Sequence, residues 1–105
     1  MKDVKTPTSR SYREYLISSL KDTQEAAAYI ETFLELEEGF EPELLRSALK
    51  DVIEARLQSN NLSEEAKQHY EKLDKMLLET GGTEIYSLIK LLDAIGFHIA
   101  ISLQG

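Results

Sequence analysis

The sequence has no cysteine and no tryptophan, only two prolines, and two histidines far apart at positions 69 and 98. Without cysteine there are no disulfides, no thiolate nucleophile and no Cys-based zinc site, and a cytoplasmic setting is expected. His69 and His98 have no further His or Cys at ligand spacing, so no metal and no cofactor are expected. No run approaches the roughly 18 apolar residues of a membrane span. The first ten residues, MKDVKTPTSR, lack the apolar stretch of a signal peptide. A basic excess is also missing: the formal net charge is −7. Taken alone, that disfavours a nonspecific nucleic-acid binder, whose affinity comes from neutralising phosphates.

What is present is an ordinary globular mixture over 105 residues, 42% hydrophobic and 30% charged, which favours one domain. The charge is unevenly spread. Residues 1–21 carry five bases and two acids, residues 22–43 carry eight acids and no base, and residues 44–105 carry seven bases and nine acids. The acidic block reads either as a solvated helix face or as a docking surface for a basic protein. Glu31, Glu35, Glu37 and Glu38 are its candidate partner-binding residues.

Periodicity predicts an all-α, compact domain over 11–105 behind a flexible arm at 1–10. Tyr12, Tyr15, Leu16 and Leu20 suit a short helix over 11–20. Asp22, with Glu25 three residues on, has the pattern of a capping box. A helix from about 23 to 37 follows, with Ala26, Tyr29, Ile30, Phe33 and Leu34 on one stripe, and Gly39 ends it. Pro42 opens a helix to about 57 on Leu45, Ala48, Leu49, Val52, Ile53 and Arg56. Gln58–Asn61 is a polar loop. Ser63 caps the next helical stretch, whose apolar side is Ala66, Tyr70, Leu73, Met76 and Leu77. Gly81-Gly82 breaks the chain, Thr83 caps a last helix carrying Ile85, Leu88, Ile89, Leu92 and Ile95, and Gly96 closes it. Residues 97–103 alternate apolar with polar or small residues and read as a short C-terminal β-strand. A lone strand leaves its backbone groups unpaired, so a second copy in a homodimer is the economical partner. An extended tail packed on the helices is the other arrangement.

No catalytic residues stand out, and no enzyme is expected. Ser, His and Asp occur without a nucleophile elbow, and Gly81-Gly82 lacks the spacing and the Lys-Ser/Thr of a phosphate loop. Tyr29 and Tyr70 fall on apolar stripes, where core packing is their plainer role.

The order of these segments resembles a known family. The run SYREYLISSLKDTQEAAAYIETFLELEEGFEPELLRSALKDVIEAR, and then MLLETGGTEIYSLIKLLDAIGFHIAI, are similar to the bacterial probable addiction module antidote proteins. Those are antitoxin-like transcriptional regulators with a phage-repressor-like helix-turn-helix. The resemblance covers about residues 11–103 and rests on the order and spacing of Met76-Leu77, Gly81-Gly82, Leu88 to Leu92, Gly96 and Phe97 to Ile101. It implies a repressor-like helical domain, a homodimer, operator DNA as one ligand and a small basic toxin as another. It also implies a scanning helix starting near Leu62 and a recognition helix over about 69–78, with His69, Tyr70, Lys72 and Lys75 as DNA-binding residues.

The chain departs from that family at the turn between these two helices. The family has Gly-Leu-Ser; this chain has Lys67-Gln68-His69, with neither a glycine nor a capping residue. A left-handed turn there costs roughly 1 kcal/mol or more without glycine. Residues 63–79 therefore suit one continuous helix as well as two. Two functions follow as expectations. One is an antitoxin-like regulator that binds operator DNA and a basic toxin. The other is a diverged protein-interaction module of the same fold that has lost DNA binding.

Overall fold

The computed structural model describes residues 9–35 and 41–104, and among them there are five helices and no strand. They are α1 (Ser9–Leu20), α2 (Thr23–Thr32), α3 (Pro42–Gln58), α4 (Glu64–Thr80) and α5 (Thr83–Ala94).

Helix α1 begins at Ser9, before the expected boundary of the N-terminal arm. Its inward register also differs from the expected one. Ile17 and Leu20 are buried, while Tyr12 and Tyr15 are exposed. Arg13, Leu16, Ile17 and Leu20 share the inner face, at the i, i+3, i+4, i+7 spacing of an amphipathic helix.

Asp22 is the N-cap of α2: its side chain accepts from the N–H groups of Gln24 (2.9 Å) and Glu25 (3.2 Å). These are two of the free donors every helix start leaves. The helix ends at Thr32 with Phe33 as C-cap, short of the expected residue 37. Gly39, Glu37 and Glu38 lie outside the described residues. Pro42 opens α3 as expected. That helix closes in a way the sequence pattern did not mark. Asn60 takes a left-handed φ of 55°, its N–H reaches Leu57 O, and Asn61 N–H reaches Arg56 O. This is a Schellman ending with asparagine in the glycine position.

The compact part of the molecule is α1–α3. Ile17, Leu20, Ala26, Val52 and Ala55 form its buried centre, with Leu16, Tyr29 and Ile30 packed around them. Ala48 and Ala55, almost fully buried, present small side chains on the inner face of α3. Each large side chain buried here contributes about 1.5–3 kcal/mol relative to exposure. Helix α4 joins this body through α3. Among the described residues, α5 has no comparably close pairing with another helix. The molecule is accordingly long in one direction, 54 × 33 × 31 Å, with a radius of gyration of 15.7 Å. An evenly packed chain of this length has a radius near about 13 Å.

Gly81 and Gly82 both take left-handed φ values, 72° and 75°, and make the sharp junction between α4 and α5. Gly82, not Thr83, is the N-cap of α5, and it supplies no side-chain bond. Thr80 provides one instead: its hydroxyl accepts from Gly82 N–H at 3.2 Å and donates to Glu84 at 2.9 Å.

The expected C-terminal strand is absent from the described residues. Gly96 (φ 95°) closes α5, with Phe97 N–H bonded to Leu92 O at 2.7 Å. Beyond it the chain runs extended over α2, held by Ile101 N–H donating to Glu31 Oε1 at 2.8 Å. Ile99 and Ile101 are half-buried, while His98, Ala100 and Ser102 are exposed. Alternation in the sequence marks an extended segment with one covered side. Here a helix surface covers that side, so no neighbouring strand is required.

Candidate functional site

Helix α4 holds the residues that the family resemblance assigns to DNA. Ser63 caps it by accepting from Ala66 N–H at 3.0 Å, and Glu64 and Glu65 lie in its positive first turn. From there the helix is unbroken to Thr80. Lys67, Gln68 and His69 are ordinary helical residues in its second turn, where the family's pattern puts a turn. Separate scanning and recognition helices are therefore not formed.

The four assigned residues are also divided. His69, Lys72 and Lys75 point to solvent. His69 Nε2 stands 3.8 Å from Glu65 one turn back. Tyr70 is half-buried, and burial raises its phenol pKa, with the Asp74 charge adding to the rise. It belongs to the seam between α3 and α4, where Arg46 grips Asp74 with two parallel bonds, Nε to Oδ1 at 2.9 Å and Nη2 to Oδ2 at 3.2 Å. That bidentate fork fixes orientation as well as charge, and the bond to Asp74 raises the guanidinium pKa of Arg46. The exposed surface of α4 carries Lys67, Lys72 and Lys75 against Glu64, Glu65, Glu71 and Glu79. A surface with three cations and four carboxylates does not attract a phosphate backbone.

The acidic candidates in α2 and just after it divide in a similar way. Glu31 is half-buried and engaged by the tail through Ile101. Glu35 is exposed and borders two open grooves. One runs along α2 beside Glu31, Thr32, Ile101 and Leu103. The other lies between Leu34, Ile89, Phe97 and Ile99. Both grooves combine apolar walls with a carboxylate.

A third cluster was not marked by sequence periodicity. Asp51 on α3 is 4% exposed. It accepts from Arg13 on α1 (Nη1 to Oδ1, 2.6 Å) and from the Tyr29 hydroxyl on α2 (to Oδ2, 3.0 Å). Burial, with the bond to Asp51 and that residue's charge, pushes the Tyr29 phenol pKa up to about 12. The Tyr29 ring also meets Phe33 edge to face, with centroids 5.1 Å apart. One signal for this cluster was available: Asp51 sits on the Ala48, Val52, Ala55 stripe, where an acid needs partners. With both oxygens bonded inside the helix body, Asp51 ties three helices together and is not placed to act on an external substrate. Among the described residues, no group of three or more His, Asp or Glu is arranged to hold a metal ion. None of the described helices is long and apolar enough to cross a membrane.

Comparison with protein families, with curated proteins and with solved structures found no match to this chain. The functional reading therefore rests on the arrangement of its own residues.

Proposed function

We propose that this chain is a protein-interaction module that resembles antitoxin-like regulators in the order of its segments but does not read DNA. Its ligand is a basic protein, of the kind a small toxin would be, met beside the C-terminal end of α2, with Glu35, just past that helix, at the rim of the two grooves. The observation that carries the reading is the continuity of α4. A helix-turn-helix needs a second helix set at an angle to enter the major groove, and Lys67–His69 run straight through. The near-neutral outer surface of α4 and the inward position of Tyr70 support the same reading.

The deciding experiment is fluorescence anisotropy with duplex DNA from upstream of the protein's own gene, at low and at physiological salt. Binding is expected to be no tighter than the roughly 10⁻⁴–10⁻⁶ M of nonspecific association, and unchanged by Lys72→Ala with Lys75→Ala. Nanomolar, salt-dependent binding that those two substitutions abolish would overturn the proposal in favour of an operator-binding regulator. For a basic protein partner, association is expected to slow with added salt and with Glu35→Lys.

A further inference from the structure

Two helices end at one cleft, and neither end carries a base. Helix α2 stops at Thr32 and α5 at Ala94, with no Lys or Arg in the last turn of either. The free carbonyls of a helix C-terminus act as a partial negative charge, and a cationic side chain is their usual complement. Here each end carries a carboxylate instead: Glu35 just past α2, and Asp93 in the last turn of α5. Gly96 then turns the chain, and Phe97 to Ile99 form a third side of the cleft. Leu34, Ile89, Phe97 and Ile99 are its apolar walls; Ile89 is buried and Phe97 is 60% exposed. Among the described residues, no ion pair engages Glu35 or Asp93, and His98 is the only base that lines the cleft.

We infer that this cleft is a binding site for a small organic cation, an ammonium group on an apolar body about the size of one aromatic ring and a short chain. Charge selects the sign. Two carboxylates and two helix ends act together, so a cation is drawn in and an anion is repelled. The walls select an apolar body. A hydrated metal ion needs oxygen ligands on most sides, and the described residues offer no group of three acids or histidines to supply them. The Phe97 ring adds a face on which an ammonium group is attracted by the ring quadrupole. Size fits the same ligand. The cleft has a volume of ≈ 460 Å³, within the about 300–1,000 Å³ of ligand pockets. A cavity of about 150 Å³ is enough for a benzene ring, so a ring and its charged arm both have room. A lone lysine stem, thinner than a ring, would leave most of that space empty.

This inference goes beyond the proposed function and holds whether or not a protein partner meets Glu35. The test is a titration of the isotope-labelled full chain, read by amide chemical shifts, with three probes that share one ring: phenethylammonium, phenethyl alcohol and phenylacetate. Phenethylammonium should give saturable shifts at Leu34, Glu35, Asp93 and Phe97 to Ile99. It should bind at least about tenfold more tightly than the alcohol, and phenylacetate should not bind. Asp93→Asn should weaken the ammonium by roughly three- to fivefold and leave the alcohol unchanged. Phe97→Ala should weaken both. Both side chains are exposed, so each variant should keep its helical circular dichroism. Equal binding of ammonium and alcohol, an ammonium indifferent to Asp93→Asn, or equal shifts at the α4 acids Glu64, Glu65 and Glu71 would each overturn the inference. So would shifts here from N-acetyl-arginine amide with none from phenethylammonium, which would mark a docking point for a protein side chain. None of these outcomes bears on the proposed function, which fails instead on tight binding of the promoter duplex.

Discussion

Replacing Asp51 by alanine tests whether the buried carboxylate holds three helices together. The substitution removes the acceptor of two bonds, from Arg13 at 2.6 Å and from Tyr29 at 3.0 Å. The two losses are unequal. The Tyr29 hydroxyl is half-buried and donates to a charged acceptor, an interaction of about 1.5–3 kcal/mol. The Arg13 side chain is 47% exposed, so its guanidinium swings into water, and the pair contributes only about 0.5–1 kcal/mol. Alanine returns about 0.5 kcal/mol through its higher helix propensity. The net loss is about 2–3 kcal/mol, a large part of the roughly 5–15 kcal/mol of a domain this size. Urea denaturation followed by circular dichroism measures it as a lower midpoint with an unchanged slope. Tyr29→Phe should cost about 1–2 kcal/mol, and the double variant less than the sum, by about 1 kcal/mol. A loss below about 0.5 kcal/mol for Asp51→Ala, or strict additivity with Tyr29→Phe, would refute the argument, because residues sharing one bond must couple.

Other outcomes follow from the same geometry. The Tyr29 phenol, whose pKa is raised to about 12 from the usual 10.0, should give a late step in a phenolate absorbance titration that Tyr29→Phe removes. Its folded-state pKa lies above the unfolded one, so its contribution to stability is complete below pH 10 and lost as pH rises toward 12; Tyr29→Phe should remove that component from the alkaline stability profile. Ser63→Ala should lower stability by about 1 kcal/mol through loss of the α4 cap, read by thermal unfolding, and Ser63→Asp should restore it. Glu31→Ala should release the tail, so that the Ile101 amide exchanges with solvent much faster while global stability falls by less than about 1 kcal/mol; an Ile101 amide that stays protected would show that Glu31 does not hold the tail.

The sequence reading was strongest where one residue governs one local geometry. Asp22, Pro42, Ser63 and the Gly81-Gly82 pair mark helix ends because each satisfies or frees specific backbone groups, and all four stand where their chemistry puts them. It was weaker where two tertiary partners share one pattern. Alternation over 97–103 reports one covered side whether a strand or a helix does the covering, and Glu31 decides it from seventy residues away. Tyr12 and Tyr15 follow helical spacing as well as Arg13 and Ile17 do. The buried Asp51 selects the Arg13 register, and that partner was invisible without α3. Along α4 the absence of a glycine or a cap at Lys67–His69 left one helix and two helices both open; the unbroken ladder from Glu64 to Thr80 is the one formed. On the acidic side, the sequence located the block but not its division: Glu31 is taken by the tail, and Glu35 faces the grooves.

The docking of the tail has a kinetic consequence. Helices α1 to α4 meet their neighbours in sequence, with α1 to α3 the next step out, and such local contacts form early and fast. The bond from Ile101 to Glu31 instead closes a loop of seventy residues, gaining one hydrogen bond and two half-covered isoleucines for the closure entropy. That contact is expected to form late in folding and to open early in unfolding. On the ribosome, α2 is finished well before Ile101 is joined to the chain. Newly made protein therefore passes through a stage in which Glu31 and the α2 surface beside it stand open, to be covered only when the tail arrives.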